Sequence, residues 1–305
     1  MATQALTLAL GKPPASNDLK RALDVDMYNA LKSVSTAPPV QSVAAFLTDK
    51  QNGAHLGRDL LQRPVCVTSI GTPDVTPSWV PFLNAFFDVS SFHSATIPAF
   101  AAHRVRMLQC PVPGQPSLPA LNVQNVVDAA ARHGPPGSSS IVVLTSFALR
   151  HVDENRQSAA CMSVADGKLV VVLSMAQSSA VPPSPHPVVH AMLHAVGVHP
   201  CSFFECAMNA CSNGSPSLVL CPLCLRKCSL VVPQFNIVRR YEALLAILEG
   251  WCACDGGWVE SFHRWCADHI AYITNTPRPS KRAMDAVDVS KLTLLKRRLA
   301  ARKQR

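Results

Sequence analysis

Two pairs of closely spaced cysteines constrain this chain more than any other sequence feature. Four residues separate Cys201 from Cys206, two separate Cys221 from Cys224, and fourteen lie between the pairs. Zinc binds four thiolates tetrahedrally at about 2.3 Å, and two short chelating loops supply them at low entropic cost. The spacing therefore predicts one structural four-cysteine zinc site, with buried free thiols as the alternative interpretation.

Two other cysteines, Cys211 and Cys228, compete for individual ligand positions, although their spacing from the two pairs fits less well. The chain contains twelve cysteines, and its first residues form a short apolar stretch with no basic lead-in. This stretch does not resemble a secretory signal, so we expect an intracellular, cytoplasmic protein. In such a reducing compartment, clustered cysteines are more often metal ligands than disulfides.

A helix that contains two histidines is predicted immediately before the first cysteine pair. Ser184 is expected to cap this helix and Gly197 to end it. His190 and His194 lie four residues apart, so both rings project from one face and can bind a single zinc ion. Gly197 allows the chain to reverse and to bring His199 to the same ion as a third ligand. The alternative is that these imidazoles are ordinary core or surface side chains.

The residue after the first of these histidines is Ala191. In the zinc peptidase pattern H-E-x-x-H, a glutamate at this position takes up the proton of the zinc-bound water. Alanine cannot accept a proton, and loss of a general base typically lowers a rate by roughly 10²–10⁴-fold. The sequence therefore predicts that no catalytic residue stands at the general-base position.

The composition is that of a globular protein with a basic end. Of the 305 residues, 48% are hydrophobic and 15% are charged, and no apolar run reaches the length of a membrane-spanning helix. The net charge is +9, and residues 278–305 hold ten Lys or Arg and two Asp, a local charge of +8. Such a tail is typical of a solvated helix end, and the alternative is a segment that contacts nucleic acid or an acidic surface.

Alternating strand and helix signals predict an α/β fold with a mixed sheet. The predicted strands are 65–70, 105–108, 141–144 and 168–175, and the predicted helices are 78–87, 122–133, 235–249 and the second half of 252–273. We divide the chain into a peripheral N-terminal extension (1–63), a main domain (64–250), a C-terminal helical extension (251–277) and the basic tail (278–305).

The order of the histidines and cysteines resembles the archaemetzincin family of zinc metallopeptidases, whose pattern is H-E-x-x-H-x-x-G-x-x-H-C followed by C-x-M and C-x-x-C. The positions in register are His190, His194, Gly197, Cys201, Cys206, Met208, Cys221 and Cys224. The resemblance implies a metzincin-like domain over 64–250 that hydrolyses peptide bonds in peptides or proteins. It also implies a catalytic zinc on the histidines, a structural zinc on the four cysteines in a C-terminal subdomain, and Met208 as the Met-turn residue.

Three departures from the family pattern bear on activity. Ala191 replaces the general-base glutamate, and Pro200 occupies the third histidine position, with His199 one residue earlier. Twelve residues separate Met208 from Cys221, fewer than is usual in the family. These differences predict a metallopeptidase homologue whose activity is weak or lost. The alternative is a non-catalytic, zinc-stabilised binding module whose basic tail contacts RNA or an acidic partner.

Overall fold

The computed structural model describes residues 17–22, 41–48, 60–71, 76–112, 115–152, 156–176, 184–201, 206–209, 217–251 and 257–275. The basic tail and Cys211 lie outside these residues, so the predictions made for them stay predictions.

Helices and strands alternate along most of the described chain. The strands are β1 (Val65–Ile70), β2 (Phe92–Ser94), β3 (Gln109–Val112), β4 (Gln115–Asn122), β5 (Ser140–Thr145), β6 (Leu149–His151), β7 (Arg156–Ser158), β8 (Ala160–Ala165) and β9 (Lys168–Ser174). The helices are α1 (Asn17–Ala22), α2 (Val43–Thr48), α3 (Thr76–Phe87), α4 (Ala102–Val105), α5 (Val123–His133), α6 (His186–Ala195), α7 (Pro222–Val231), α8 (Ile237–Trp251) and α9 (Gly257–Asn275). The predicted α/β class with mixed sheets is confirmed.

The larger sheet has five strands in the order β2-β1-β5-β9-β8. The first four are parallel to one another, and β8 is antiparallel to β9. β1, β5 and β9 are rich in Val, Ile and Leu and almost completely buried, as parallel strands covered on both faces must be. The β8–β9 turn is made by Asp166 and Gly167, both with positive φ, which suits a tight hairpin.

Alternate residues of the central strands enter two separate cores, one on each face of this sheet. One face carries Val65, Val67, Val142, Leu144, Val171 and Leu173, and the other carries Cys66, Ile141, Val143, Val170 and Val172. The apolar stripe of α5 covers the second face. α6, α7, α8 and all four cysteines of the predicted zinc site belong to the core on the first face. The two predicted metal sites therefore share one side of the sheet.

The strand predicted at 105–108 is wrong. Val105 is the last residue of α4, residues 106–108 form a 3-10 turn, and β3 begins only at Gln109. A run of four residues is too short for periodicity to separate strand from helix. A second, four-stranded sheet in the order β3-β4-β6-β7 was not predicted, because β3, β6 and β7 have three or four residues and the longer β4 contains two prolines.

The start of α6 also differs from the prediction. Pro185 occupies the N-cap position, and Ser184 lies one residue earlier, where its Oγ still accepts a hydrogen bond from His186 N at 3.3 Å. The predicted helix stop is confirmed, since Gly197 has a φ of 94° that other residues rarely adopt.

Part of the segment predicted to be peripheral contributes to the core. Leu19, Ala22, Val43 and Phe46 are buried in the same cluster as α6 and α7. None of the described helices is both long and apolar enough to cross a membrane.

Candidate metal centre

The four predicted cysteine ligands meet in the folded chain. The sulfurs of Cys201, Cys206, Cys221 and Cys224 all lie within 4.8 Å of one another, and all four residues are buried. Cys201 Sγ and Cys221 Sγ are 3.5 Å apart. Tetrahedral zinc with bonds of 2.3 Å separates its sulfur ligands by about 3.8 Å. The donor set and its spacing therefore fit a single tetrahedral metal ion.

Two backbone hydrogen bonds and the start of α7 bring these cysteines together. Cys201 N donates to Met208 O at 2.8 Å, and Ala207 N donates to Val219 O at 2.8 Å. Cys221 is the N-cap residue of α7, and Pro222 at the first helical position fixes the direction of the chain. Cys224 then lies one turn into the helix, on the side of Cys221.

Backbone amides already point at one sulfur of the cluster. Met208 N and Cys221 N lie 3.5 Å and 3.4 Å from Cys206 Sγ. Such N–H donors stabilise a thiolate. Burial raises the pKa of the Cys221 thiol well above its usual range, and hydrogen bonding from Cys201 does the same for Cys224. A bound cation would compensate the negative charge of the thiolates, which is the coupling expected of a metal site.

The two histidines of α6 lie directly beside this cluster. His190 Nε2 and His194 Nε2 are 3.0 Å apart, and their ring centroids are separated by 4.5 Å. Two imidazole ligands on tetrahedral zinc are separated by about 3.3 Å. The pair is thus close to the arrangement that one ion needs, and an N–H···N hydrogen bond accounts for the same distance.

A backbone carbonyl of the cysteine cluster determines the tautomer of His190. His190 Nδ1 lies 2.7 Å from Ala207 O, and His186 Nε2 lies 3.0 Å from the same oxygen. A carbonyl can only accept, so neutral His190 carries its proton on Nδ1 and leaves the Nε2 lone pair free toward His194. Histidines that bind metals typically make this second hydrogen bond to a carbonyl or carboxylate. Burial, together with the neighbouring His190, lowers the pKa of His186 to about 4.

His199 does not join the pair. Among the described residues, the four cysteines form the one group of three or more metal-ligating side chains whose donor atoms lie within 4.8 Å of one another. The backbone N of His199 donates to Gln41 Oε1 at 3.1 Å, and Gln41 Nε2 donates to Gly197 O at 3.1 Å. Within the part of the chain that the structure describes, no third His, Cys, Asp or Glu forms a group with the histidine pair in which all donor atoms lie within 4.8 Å of one another.

The remaining predicted residues have backbone or packing contacts. Met208 is buried, and both its N and its O contact cysteines of the cluster, whereas its role as a Met-turn residue stays a prediction. Cys228 is buried outside the cluster, where burial raises the pKa of its thiol to about 12. Ala191 lies on α6 between the two histidines in sequence and is buried in the hydrophobic core.

Two residues that the sequence did not identify contact this region. Lys227 is 1% exposed, and its Nζ donates to Gln41 Oε1 at 2.9 Å. Burial lowers the pKa of Lys227, while Cys224, Cys201, Cys221 and Cys206 act in the opposite direction. Gln41 precedes α2 and lies 186 positions from Lys227, so no local sequence signal marks it.

The arrangement can bind one metal ion through the four thiolates, and it places two imidazole nitrogens, those of His190 and His194, next to this ion. No protein-family model, curated protein or solved structure matches the chain at a significant level.

Proposed function

We propose that this chain is a zinc-binding protein of the archaemetzincin type that binds extended peptides and whose peptidase activity is weak or lost. The observation that carries the proposal is the contact between His190 Nδ1 and Ala207 O. This hydrogen bond connects the cysteine cluster, which is suited to structural zinc, to His190. The Nε2 atom of His190 in turn faces His194.

The four cysteines would hold the structural ion, and the Nε2 atoms of His190 and His194 would hold a second. An ion held by His190 and His194 would supply Lewis acidity toward a peptide carbonyl or a water molecule. The chain itself supplies orientation, because the carbonyl of Ala207 fixes the His190 ring and the rigid turn of α6 fixes the spacing of the two imidazoles. The third protein ligand that catalytic zinc sites usually have is missing from the described residues.

An exposed sheet edge favours a peptide as the ligand. β8 pairs with β9 on one side and is the outermost strand of the described sheet on the other. Its side chains Met162 and Val164 are exposed, and α6 packs against the neighbouring β9. An extended peptide can add to such an edge through backbone hydrogen bonds and place apolar side chains beside those of the strand.

Peptide hydrolysis also needs a proton acceptor, which position 191 does not supply. A glutamate at position 191 would directly follow His190 on α6, and His194 lies one helical turn after His190. Ala191→Glu is therefore expected to raise the rate of cleavage by roughly 10²–10⁴-fold over the natural chain. Ala191→Gln is the matched control, because it has nearly the same size and cannot act as a base.

The experiment compares the three proteins, each loaded with Zn²⁺, on a fluorogenic peptide library. Cleavage that appears or rises only with glutamate supports a decayed peptidase. Equal cleavage by all three proteins means that another group is the base. Peptide binding without cleavage in any of the three favours the alternative function, a zinc-stabilised binding module. The observation in favour of this alternative is that alanine occupies position 191, where a peptidase has its general base.

A further inference from the structure

Lys227 is a buried cation for which the described structure provides no carboxylate. The residue is 1% exposed, and its ammonium donates to the neutral amide oxygen of Gln41. Among the ion pairs of the described residues, none involves Lys227. Lysines are almost never fully buried unless they are paired, since burial of an isolated charge is strongly unfavourable. Its position therefore needs a source of negative charge.

The four-cysteine cluster is that source once it binds a metal. Four thiolates and one divalent ion carry a net charge of −2, and all four cysteines are buried. The two backbone N–H groups near Cys206 Sγ offset part of this charge. Lys227 follows Cys224 by three positions on α7, so both side chains project from the same side of the helix. Burial lowers the pKa of Lys227, and negative charge on the four cysteines acts in the opposite direction.

We propose that Lys227 is the counter-ion of the metal–tetrathiolate centre, held in place by Gln41, and that it favours a divalent ion bound by four fully deprotonated cysteines. This proposal rests on the proposed function, because it needs the cysteines to bind metal. A buried −2 centre and a buried +1 side chain stabilise each other, whereas each alone is unfavourable. Lys227 is thus a positioning residue for the metal, although it is not a ligand.

Gln41 extends this assembly to the turn after the histidine helix. Its Oε1 accepts from both Lys227 Nζ and His199 N, and its Nε2 donates to Gly197 O. One amide therefore ties the ammonium to the segment that links α6 to Cys201. The three contacts fix the position of the amide oxygen to which the ammonium donates.

The test is the Zn²⁺ affinity of Lys227→Met, measured in the full chain by competition with a chromophoric chelator. Methionine has a similar length and shape without the charge. Loss of an outer-shell partner typically weakens metal binding by roughly 10–100-fold, and we expect a decrease in this range. Lys168→Met is the matched control, because Lys168 is a partly buried lysine that donates to Ala131 O at 2.9 Å, on the opposite face of the sheet. It is expected to keep wild-type affinity.

A second readout separates charge compensation from packing. We expect the metal-free Lys227→Met protein to melt at the same temperature as metal-free wild type or higher, and to gain less on addition of Zn²⁺. A purely structural lysine would lower both melting temperatures by a similar amount, and that result overturns the inference. Co²⁺ absorption in the visible range reports whether four thiolates still surround the metal.

The outcomes distinguish the two proposals. If the wild type binds no Zn²⁺ or Co²⁺, the proposed function fails. If the wild type binds zinc and Lys227→Met binds it equally well, only the counter-ion inference fails. Should Lys227→Met not fold, Gln41→Leu provides the same test, since it releases the ammonium but keeps its charge. It is expected to weaken zinc binding several-fold, and unchanged affinity in the folded variant contradicts the inference.

Discussion

His190 donates its Nδ1 proton to Ala207 O across 2.7 Å, and Ala207 lies directly between Cys206 and Met208. The loop that carries a predicted zinc ligand therefore determines which nitrogen of a histidine on α6 faces its partner. Because one carbonyl links the two sites, a change in the cysteine cluster is expected to affect the histidine pair.

The first prediction concerns the cysteine cluster. The double substitution Cys221→Ala and Cys224→Ala removes two ligands and is expected to abolish one equivalent of bound zinc and to lower the melting temperature strongly, since structural zinc contributes directly to folding. Zinc per chain is measured by mass spectrometry of the metal. Cys228→Ala is the control, because Cys228 is buried in the same helix but outside the cluster. Equal loss of zinc in the control contradicts the assignment.

The second prediction concerns the histidine pair. His190→Ala together with His194→Ala is expected to remove any second equivalent of zinc and to leave the first bound, because the cysteine ligands remain. Metal counting on the same samples checks this outcome. His133→Ala, at the end of α5, should not change the count. One zinc ion in the wild type and one in the double variant would mean that the pair is joined by a hydrogen bond alone.

A third prediction concerns Asp88, which joins the loop after α3 to the start of α8. Its carboxylate accepts from Asn236 N at 2.6 Å and from Arg239 at 2.8 and 2.9 Å. Charge-assisted hydrogen bonds contribute about 1.5–3 kcal/mol each when buried, and less where Arg239 is exposed. We expect Asp88→Ala to lower the free energy of unfolding in urea by about 1–3 kcal/mol. Asp128→Ala, whose carboxylate has one exposed partner, is expected to have little effect.

The fourth prediction concerns pH and His269. Burial lowers the pKa of His269 below its ordinary 6.5, with the Trp265 carbonyl and Asp268 acting in the opposite direction. As the pH falls below about 6.5, the unfolded chain takes up the proton first. The stability contributed by neutral His269 is therefore complete above this pH and decreases as the pH falls toward the lowered folded-state pKa.

His269→Phe retains a ring to stack on Trp265 and removes the titration. Between pH 7 and pH 5 it is expected to lose less free energy of unfolding than the wild type. The quantity compared is the change in the free energy of unfolding of each protein between pH 7 and pH 5. A pH-independent effect of the substitution on stability therefore cancels. An identical decrease in both proteins would count against this role of His269.

The fifth prediction concerns the basic tail. Removal of residues 278–305, which carry a local charge of +8, is expected to abolish binding to single-stranded RNA at low salt. In the full chain, the logarithm of the affinity should fall with the logarithm of the salt concentration, with a slope of about −0.7 per contacted phosphate. Absence of binding by the full chain at low salt removes the nucleic-acid interpretation of the tail.

Local sequence was sufficient for the central strands. Val65–Ile70 is rich in β-branched residues and Lys168–Ser174 contains the apolar run 169–173, and such segments are typical of buried parallel strands in a sheet that is covered on both faces. The short strands of the second sheet were missed, because β6 and β7 have three residues each, too few to show the alternating pattern of a strand. The segment 105–108 was assigned wrongly for the same reason, since four residues contain too little periodicity.

Local spacing was enough to identify the four cysteines that meet in one buried cluster, because two short chelating pairs suit one tetrahedral ion. The surroundings of the cluster depend on the folded structure. The Ala207 carbonyl, the buried ammonium of Lys227 and the amide of Gln41 contact the site from positions that are distant in the chain. The reason is physical: ligand spacing is a local property of the backbone, whereas charge compensation and ring orientation arise from long-range packing.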